Sequence, residues 1–328
     1  MTSQQPMAEA CFASLVRCLH TVAESSTDLE PSTPALHRLR NLVQVMLSTA
    51  PSLGDSPSPG LTLDRALTLV STSQGLLAIL RDAGEGSLLS AEMNQAMSET
   101  LAALSDHMGA ALRRQQQNRV RGLYVIIDPQ VTNGRDPIEV ARAAVRGGAR
   151  MLQLRDKLRD MGEVLPLATE LQQLCQANSV ALIINDHADL AAVVGSVGVH
   201  LGQTDLPVAQ ARRVLSPRQV LGRSNHEIEE LVRSQEMGAD HVAFGAIYRT
   251  GTKGVGRPPQ GIEQLRRARE VTKVPLVAIG GINADNVAPV VTAGADAVCV
   301  AAAVGTAPDP EAATARLVKA IAGAGGRT

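Results

Sequence analysis

The chain has 328 residues, 45% of them hydrophobic, and a formal net charge of −1. That length suits two domains, and the balanced charge excludes a general electrostatic attraction to nucleic acid or to anionic membranes. Only two Phe, two Tyr and no Trp are present, which excludes the aromatic platforms that stack single-stranded bases.

Four cysteines occur without a CxxC pair, so neither a zinc site nor a disulfide framework is indicated. The sequence shows no signal peptide and no apolar span of about 20 residues. We therefore expect a cytoplasmic protein with neither nucleic-acid nor membrane partners.

Residues 1–118 carry the apolar spacing of helices in four segments, at about 7–24, 33–47, 63–82 and 88–118. Thr33 and Pro34 provide an N-cap followed by proline at the first helical position. A Pro/Ser/Gly segment at 51–60 separates the second and third helices. The pattern predicts an all-α helical bundle. No motif assigns it a function, and we expect an oligomerisation or regulatory module through which the chain forms a homo-oligomer.

Residues 119–328 change to a strict alternation of short apolar runs and helix-period segments. Eight such units in about 200 residues predict an α/β fold of the (β/α)8 TIM-barrel type. An open doubly wound sheet is the alternative, and it is disfavoured because no GxGxxG motif follows the first strand. The predicted strands are 123–127, 151–154, 181–184, 197–201, 220–222, 241–244, 276–279 and 298–301.

Polar residues follow these strands, where the active site of such a barrel lies. Strand alternation would point Gln153, Arg155 and Lys157 in one direction. Asp186 and Asp205 follow the third and fourth strands. Two carboxylates near several cations indicate a divalent-metal and polyphosphate site, because Mg²⁺ takes one or two carboxylates plus phosphate oxygens and Lys and Arg neutralise the remaining charge.

A second phosphate site is indicated at the last strands. The segment 245–261, GAIYRTGTKGVGRPPQG, offers hydroxyls, a lysine and glycine backbone, which suit a phosphate. Gly280-Gly281 and the eighth strand end match the place where barrels hold a monophosphate on backbone N–H groups. The residues themselves thus predict a diphosphate on one side of the barrel and a monophosphate on the other. His187, His200 and His241 are interpreted as structural.

Six motifs together resemble the thiamine phosphate synthase family over about residues 122–321. They are QLRDK at 153–157, ND at 185–186, GQTD at 202–205, GRSNH at 222–226, YRTGTK at 248–253 and AIGGI at 278–282. The resemblance implies a TIM barrel that joins 4-amino-2-methyl-5-(diphosphooxymethyl)pyrimidine to a thiazole phosphate, carboxylated or plain. The implied products are thiamine phosphate and pyrophosphate, and Mg²⁺ is the implied cofactor.

The resemblance also implies roles for individual residues. By position, these are Arg155, Lys157, Asn185 and Lys253 for pyrophosphate, Asp186 and Asp205 for Mg²⁺, Gln153 and Ser224 for the pyrimidine, and Thr250, Thr252, Gly281, Ala301 and Ala302 for the thiazole phosphate. The chain departs from the family at three positions: Ala246 and Arg249, where proline is frequent, and Ala302, where serine is frequent.

Two other functions share this barrel. A thiazole tautomerase would need a proton shuttle, for which His226 is the candidate, and no diphosphate metal site. A non-catalytic barrel that senses thiamine precursors would use the helical domain as its output. Asp205 with Thr252 and Lys253 favours the synthase over the tautomerase, and the full set of leaving-group contacts argues against the sensor.

Overall fold

The computed structural model describes residues 5–24, 33–47, 61–82, 88–251 and 258–328. The chain forms two compact units, Met1–Leu112 and Arg113–Thr328. The division lies inside the fourth helix, ahead of the boundary between 118 and 119 that the sequence predicts. Among the helices described, none has both the length and the apolar character needed to cross a membrane.

The first unit is helical, which confirms the predicted all-α bundle. Its helices are α1 (Gln5–Glu24), α2 (Pro34–Leu47), α3 (Leu63–Asp82) and α4 (Ala91–Gln117). One apolar stripe of each helix is buried in a shared core, because spacings of three and four residues return to the same helix face. Leu15, Leu39, Val70 and Leu104 are fully buried in this core.

The second unit is a closed barrel of eight parallel strands in sequential order, which confirms the predicted TIM-barrel fold. The strands are β1 (Gly122–Ile127), β2 (Met151–Leu154), β3 (Ala181–Asn185), β4 (Gly198–Leu201), β5 (Val220–Asn225), β6 (His241–Gly245), β7 (Leu276–Ile279) and β8 (Ala297–Val300). The barrel helices are α5 (Pro137–Arg146), α6 (Met161–Ala177), α7 (Ala188–Val194), α8 (Val208–Val214), α9 (Ile228–Glu236), α10 (Gly261–Val271), α11 (Val287–Thr292), α12 (Ala302–Gly305) and α13 (Pro310–Gly323).

Strand alternation divides the apolar residues of the barrel between two cores. Leu123 and Val125 of β1 pack in the layer between strands and helices. Tyr124 and Ile126 belong to the smaller core inside the barrel. The strands are buried on both faces, which explains why they read as continuous apolar runs in the sequence.

Six of the eight strands differ from their predicted bounds, five of them by a single residue at one or both ends and β5 by three residues. β5 continues past 222 to Asn225, which pairs in register with Phe244 of β6. Its amide nitrogen donates to the carbonyls of Arg223 and Ala243 at 2.9 and 3.2 Å, so a polar side chain is accommodated inside a strand. Ser224 therefore lies on β5. β8 ends at Val300, one residue earlier than predicted, and α12 begins at Ala302.

Gly222 leaves room for two buried imidazoles. It lies in β5 beside His200 of β4 and His241 of β6 in register. A Cβ at this position would lie 2.1 Å from His241 Nε2 and 2.5 Å from His200 Nδ1. Only glycine fits here without displacing a ring.

We predict that His241 lowers the stability of the protein at acidic pH. Its ring is fully buried, and burial is the main cause that lowers its pKa from 6.5 to about 4. The unfolded chain therefore binds more protons than the folded protein between these values, so stability is lost as the pH falls from 6.5 towards 4. Between pH 7 and pH 5 this cost is about 2 kcal/mol.

Urea unfolding of the wild type and of His241→Gln at both pH values measures this effect. The substituted protein should lose less stability than the wild type on acidification. An equal loss in the two proteins would contradict the prediction.

Candidate active site

Three consecutive strand ends bring one lysine and two carboxylates together. Lys157 follows β2, and its Nζ lies 2.6 Å from Oδ2 of Asp186, which follows β3. The Asp186 carboxyl is hydrogen-bonded to that of Asp205, after β4. Asp205 Oδ2 also accepts the Gly202 N–H at 2.6 Å. Residues up to 48 positions apart in sequence (157 to 205) thus form one cluster at the rim of the barrel.

The two carboxyls have pKa values shifted in opposite directions. Burial raises the pKa of Asp186, but the hydrogen bond with Asp205 and the Lys157 ammonium outweigh it and bring the pKa below its usual value. Burial and the neighbouring Asp186 together raise the pKa of Asp205, against the Gly202 N–H. Two carboxylates this close oppose each other's ionisation, and Asp205 is the one whose pKa rises.

This donor set fits a magnesium ion. Two converging carboxylate oxygens are what Mg²⁺ takes from proteins, and it completes its coordination with water and substrate phosphates. Within the described residues no cluster of three or more His, Cys, Asp or Glu is arranged to hold a metal. A site with only two protein carboxylates is therefore suited to a cation that arrives with, or receives, a phosphate ligand.

Arg155 is held by a carboxylate that the sequence analysis did not single out. Its guanidinium pairs with Oδ2 of Asp128, whose side chain is 3% exposed. Ile127 and Leu154 are partners in register, so Asp128 and Arg155 are the next residues along the two strands. Its place in the sequence could have indicated this role, because Asp128 directly follows the first predicted strand.

The three candidate residues of QLRDK contact three different groups: Tyr124 for Gln153, Asp128 for Arg155 and Asp186 for Lys157. β2 ends at Leu154, so the strand alternation that would aim Gln153, Arg155 and Lys157 in one direction does not extend to Lys157. Gln153 is buried, and its amide nitrogen donates to Tyr124 Oη at 2.6 Å inside the barrel. Burial raises the pKa of Tyr124 well above its ordinary value, so this phenol stays protonated.

Ser224 and Asn185 stand on the inward-facing positions of their strands. Ile183 of β3 and Val220 of β5 line the interior core, and Asn185 and Ser224 lie an even number of residues further along. Both are half-buried. Ser224 Oγ lies 2.9 Å from Nε2 of His200, so His200, interpreted from sequence as structural, contacts a candidate substrate-binding residue.

The GQTD and GRSNH motifs are joined by hydrogen bonds across the rim. Arg223 donates to the Gly202 carbonyl at 2.8 Å and to Gln203 Oε1 at 3.2 Å. Gln203 in turn donates to the Ser224 carbonyl at 2.6 Å. These bonds attach the loop that contains Asp205 to β5. Arg223 thus supports the site, a role that the sequence analysis missed.

The end of β7 is shaped by two glycines with left-handed backbone, at φ 104° for Gly280 and 65° for Gly281. A Cβ on Gly281 would lie 2.5 Å from the Arg249 carbonyl oxygen, and one on Gly280 would lie 2.4 Å from Ala246 Cβ. The chain after β6 therefore packs directly on this turn. Asn286 adds a bond from its amide nitrogen to the Gly281 carbonyl at 2.9 Å.

The remaining candidates for the thiazole phosphate lie at the ends of β6 and β8. Thr250 is half-buried. Ala301 is the N-cap position of α12, and Ala302 is its first residue. Thr252 and Lys253 lie outside the described residues, so their assignments remain predictions.

Comparisons with known proteins match the barrel. The family model described as thiamine monophosphate synthase matches residues 123–304. A thiamine-phosphate synthase of Natronomonas pharaonis is 42% identical over 205 residues, which are 62% of this chain and 95% of the relative. Another, of Thioalkalivibrio sulfidiphilus, is 45% identical over 201 residues, covering 61% and 94% respectively.

A comparison with solved structures also matches the barrel. The thiamine phosphate pyrophosphorylase of Pyrococcus furiosus superposes with a TM-score of 0.59 at 32% identity, covering 64% of this chain and 98% of that one. The matched family region begins after α4. With more than half of its residues in that match, the chain belongs to the thiamine monophosphate synthase family.

Proposed function

We propose that the protein joins 4-amino-2-methyl-5-(diphosphooxymethyl)pyrimidine to a thiazole phosphate, carboxylated or plain, and releases thiamine phosphate and pyrophosphate. The observation that carries the proposal is the cluster of Lys157, Asp186 and Asp205 at three consecutive strand ends. A diphosphate leaving group needs cations and a metal-binding carboxylate pair at one place. Membership of the thiamine monophosphate synthase family supports a reaction of this kind.

The reaction breaks the bond between the pyrimidine methylene carbon and the diphosphate oxygen, and the electron pair leaves with pyrophosphate. The amino-substituted ring stabilises the developing methylene cation. The thiazole nitrogen then donates its lone pair to that carbon, so no general base is required. Stabilising the charge on the leaving group is therefore the main task of the protein.

Several groups would share that task. Mg²⁺, when bound, supplies positive charge to the departing phosphates, and Asp186 and Asp205 are the residues that would hold it. Lys157, half-exposed beside Asp186, would extend to the same oxygens. Asp128 keeps the Arg155 guanidinium in one orientation, so Arg155 meets the diphosphate without first losing rotamer freedom. Asn185 and Lys253 are assigned to the same group by the family resemblance.

The other end of the barrel mouth would hold the thiazole phosphate. Gly281, Ala301 and Ala302 offer backbone N–H groups, and Thr250 and Thr252 offer hydroxyls. Ala302 has no hydroxyl where the family often has serine, so we expect the backbone to supply this contact. Any lost hydrogen bond would cost about 0.5–1.5 kcal/mol of affinity. Gln153 and Ser224 are proposed to orient the pyrimidine.

The two alternative functions receive less support. A tautomerase would use His226 as its proton shuttle, yet His226 Nδ1 lies 2.8 Å from the Gly245 carbonyl oxygen, which leaves only Nε2 for such a role. A precursor sensor would not need the carboxylate pair. Metal-dependent turnover separates the synthase from both.

We predict that Asp205→Asn lowers kcat/KM for thiamine phosphate formation by about 100-fold or more, as expected for the loss of one leaving-group stabiliser. The Asn side chain keeps an oxygen that accepts the Gly202 N–H, so the fold should be preserved by circular dichroism. Asp189→Asn, which changes an exposed carboxylate in the first turn of α7, is the matched control. A near-normal rate for Asp205→Asn would remove Asp205 from the site.

We also predict that EDTA abolishes turnover and that excess Mg²⁺ restores it, because the two carboxylates alone would repel the diphosphate. The assay follows thiamine phosphate formed from the pyrimidine diphosphate and the thiazole phosphate. Pyrophosphate binding, measured by calorimetry, should likewise require Mg²⁺ in the wild type. Turnover that is unchanged in EDTA would contradict the proposed metal site.

A further inference from the structure

Three side chains form a hydrogen-bonded series from the barrel interior to the candidate site. His241 Nε2 lies 3.4 Å from His200 Nδ1, and His200 Nε2 lies 2.9 Å from Ser224 Oγ. Both imidazoles are buried, with 0% and 7% of their surface exposed. They occupy the space over Gly222, where a Cβ would collide with both rings. The series is therefore built into β4, β5 and β6.

The environment of His241 Nδ1 determines which atoms donate and which accept in these two hydrogen bonds. His241 Nδ1 is buried and has no hydrogen-bond partner. A buried N–H without an acceptor is rarer and more costly than an unpaired acceptor, so Nδ1 carries the lone pair. A pKa of about 4 keeps the His241 ring neutral at physiological pH, and its proton is then on Nε2, facing His200.

His200 Nδ1 must therefore accept a hydrogen bond from the His241 Nε2–H. The proton of His200 is then on its own Nε2 and points to Ser224 Oγ. Ser224 Oγ accepts from His200 and retains its own O–H as a donor. That hydroxyl proton is directed away from His200.

We propose that His241 is a positioning residue, which fixes the tautomer of His200 and thereby presents the Ser224 hydroxyl as a hydrogen-bond donor to an acceptor nitrogen of the bound heterocycle. The inference rests on the proposed function, since that function places the pyrimidine at Ser224. It assigns a task to a histidine that does not itself contact the substrate.

Nitrogen NMR on the full-length protein labelled with ¹⁵N-histidine tests the tautomers directly. The chain has seven histidines, and the spectra of His241→Gln and His200→Gln assign the two signals. We expect the Nε2–H tautomer for both rings in the wild type. An Nδ1–H tautomer or an imidazolium at His200 would overturn the proposal, and this result does not depend on turnover.

Kinetics provide the second test, with His241→Leu and His241→Gln as a matched pair. The Gln amide nitrogen reaches about as far as imidazole Nε2 and can donate to His200, whereas Leu cannot. We expect His241→Leu to lower kcat/KM for the pyrimidine diphosphate about two- to tenfold, the effect of one hydrogen bond. The KM for thiazole phosphate should stay unchanged, and His241→Gln should restore the rate.

The same pair in a Ser224→Ala background separates positioning from packing. With the hydroxyl removed, His241→Leu and His241→Gln should have equal rates. A full effect of His241→Leu in that background, or a His241→Gln protein as slow as His241→Leu, would contradict the proposal. Absence of thiamine phosphate formation in the wild type would instead contradict the proposed function, and the NMR spectra still decide the tautomers.

Discussion

The hydrogen bonds between β1 and β8 close the sheet, and the candidate site depends on that closure. Parallel strands in a closed barrel end at a single rim, so residues after β1, β2, β3 and β4 become neighbours of residues after β7 and β8. In an open sheet the turn at Gly280-Gly281 and the carboxylate pair would lie towards opposite edges. Closure of the barrel therefore brings residues after the first four strands and residues after the last two strands to the same rim.

The carboxylate pair at that rim is electrostatically unfavourable, and its neighbours offset the cost. Asp186 and Asp205 repel each other when both are ionised. Lys157, beside Asp186, and the Gly202 N–H, which donates to Asp205, reduce that repulsion. Arg223 fixes the Gly202 carbonyl and so the loop that carries Asp205. The cluster is thus held in place by contacts among residues of the barrel itself.

The sequence predicted the barrel well because alternation and strand length are local properties, whereas the contacts it missed depend on register. Asp128 pairs with Arg155 only because β1 and β2 align Ile127 with Leu154. The polar residues Ser224 and Asn225 interrupt the apolar run, so the end of β5 was placed too early. The contact of His200 with Ser224 depends on the space that Gly222 leaves between two other strands, which no local pattern reveals.

The scarcity of aromatic residues has a spectroscopic consequence. The chain has no tryptophan and two tyrosines, Tyr124 and Tyr248, both in the barrel unit. Tyr124 is enclosed in the barrel interior, and Tyr248 donates its hydroxyl to the Asn286 carbonyl at 3.0 Å. Intrinsic tyrosine emission therefore reports on the barrel alone, while far-ultraviolet circular dichroism also records the helical unit. Tyrosine fluorescence of the unmodified chain can thus follow unfolding of the barrel unit separately from that of the helical unit.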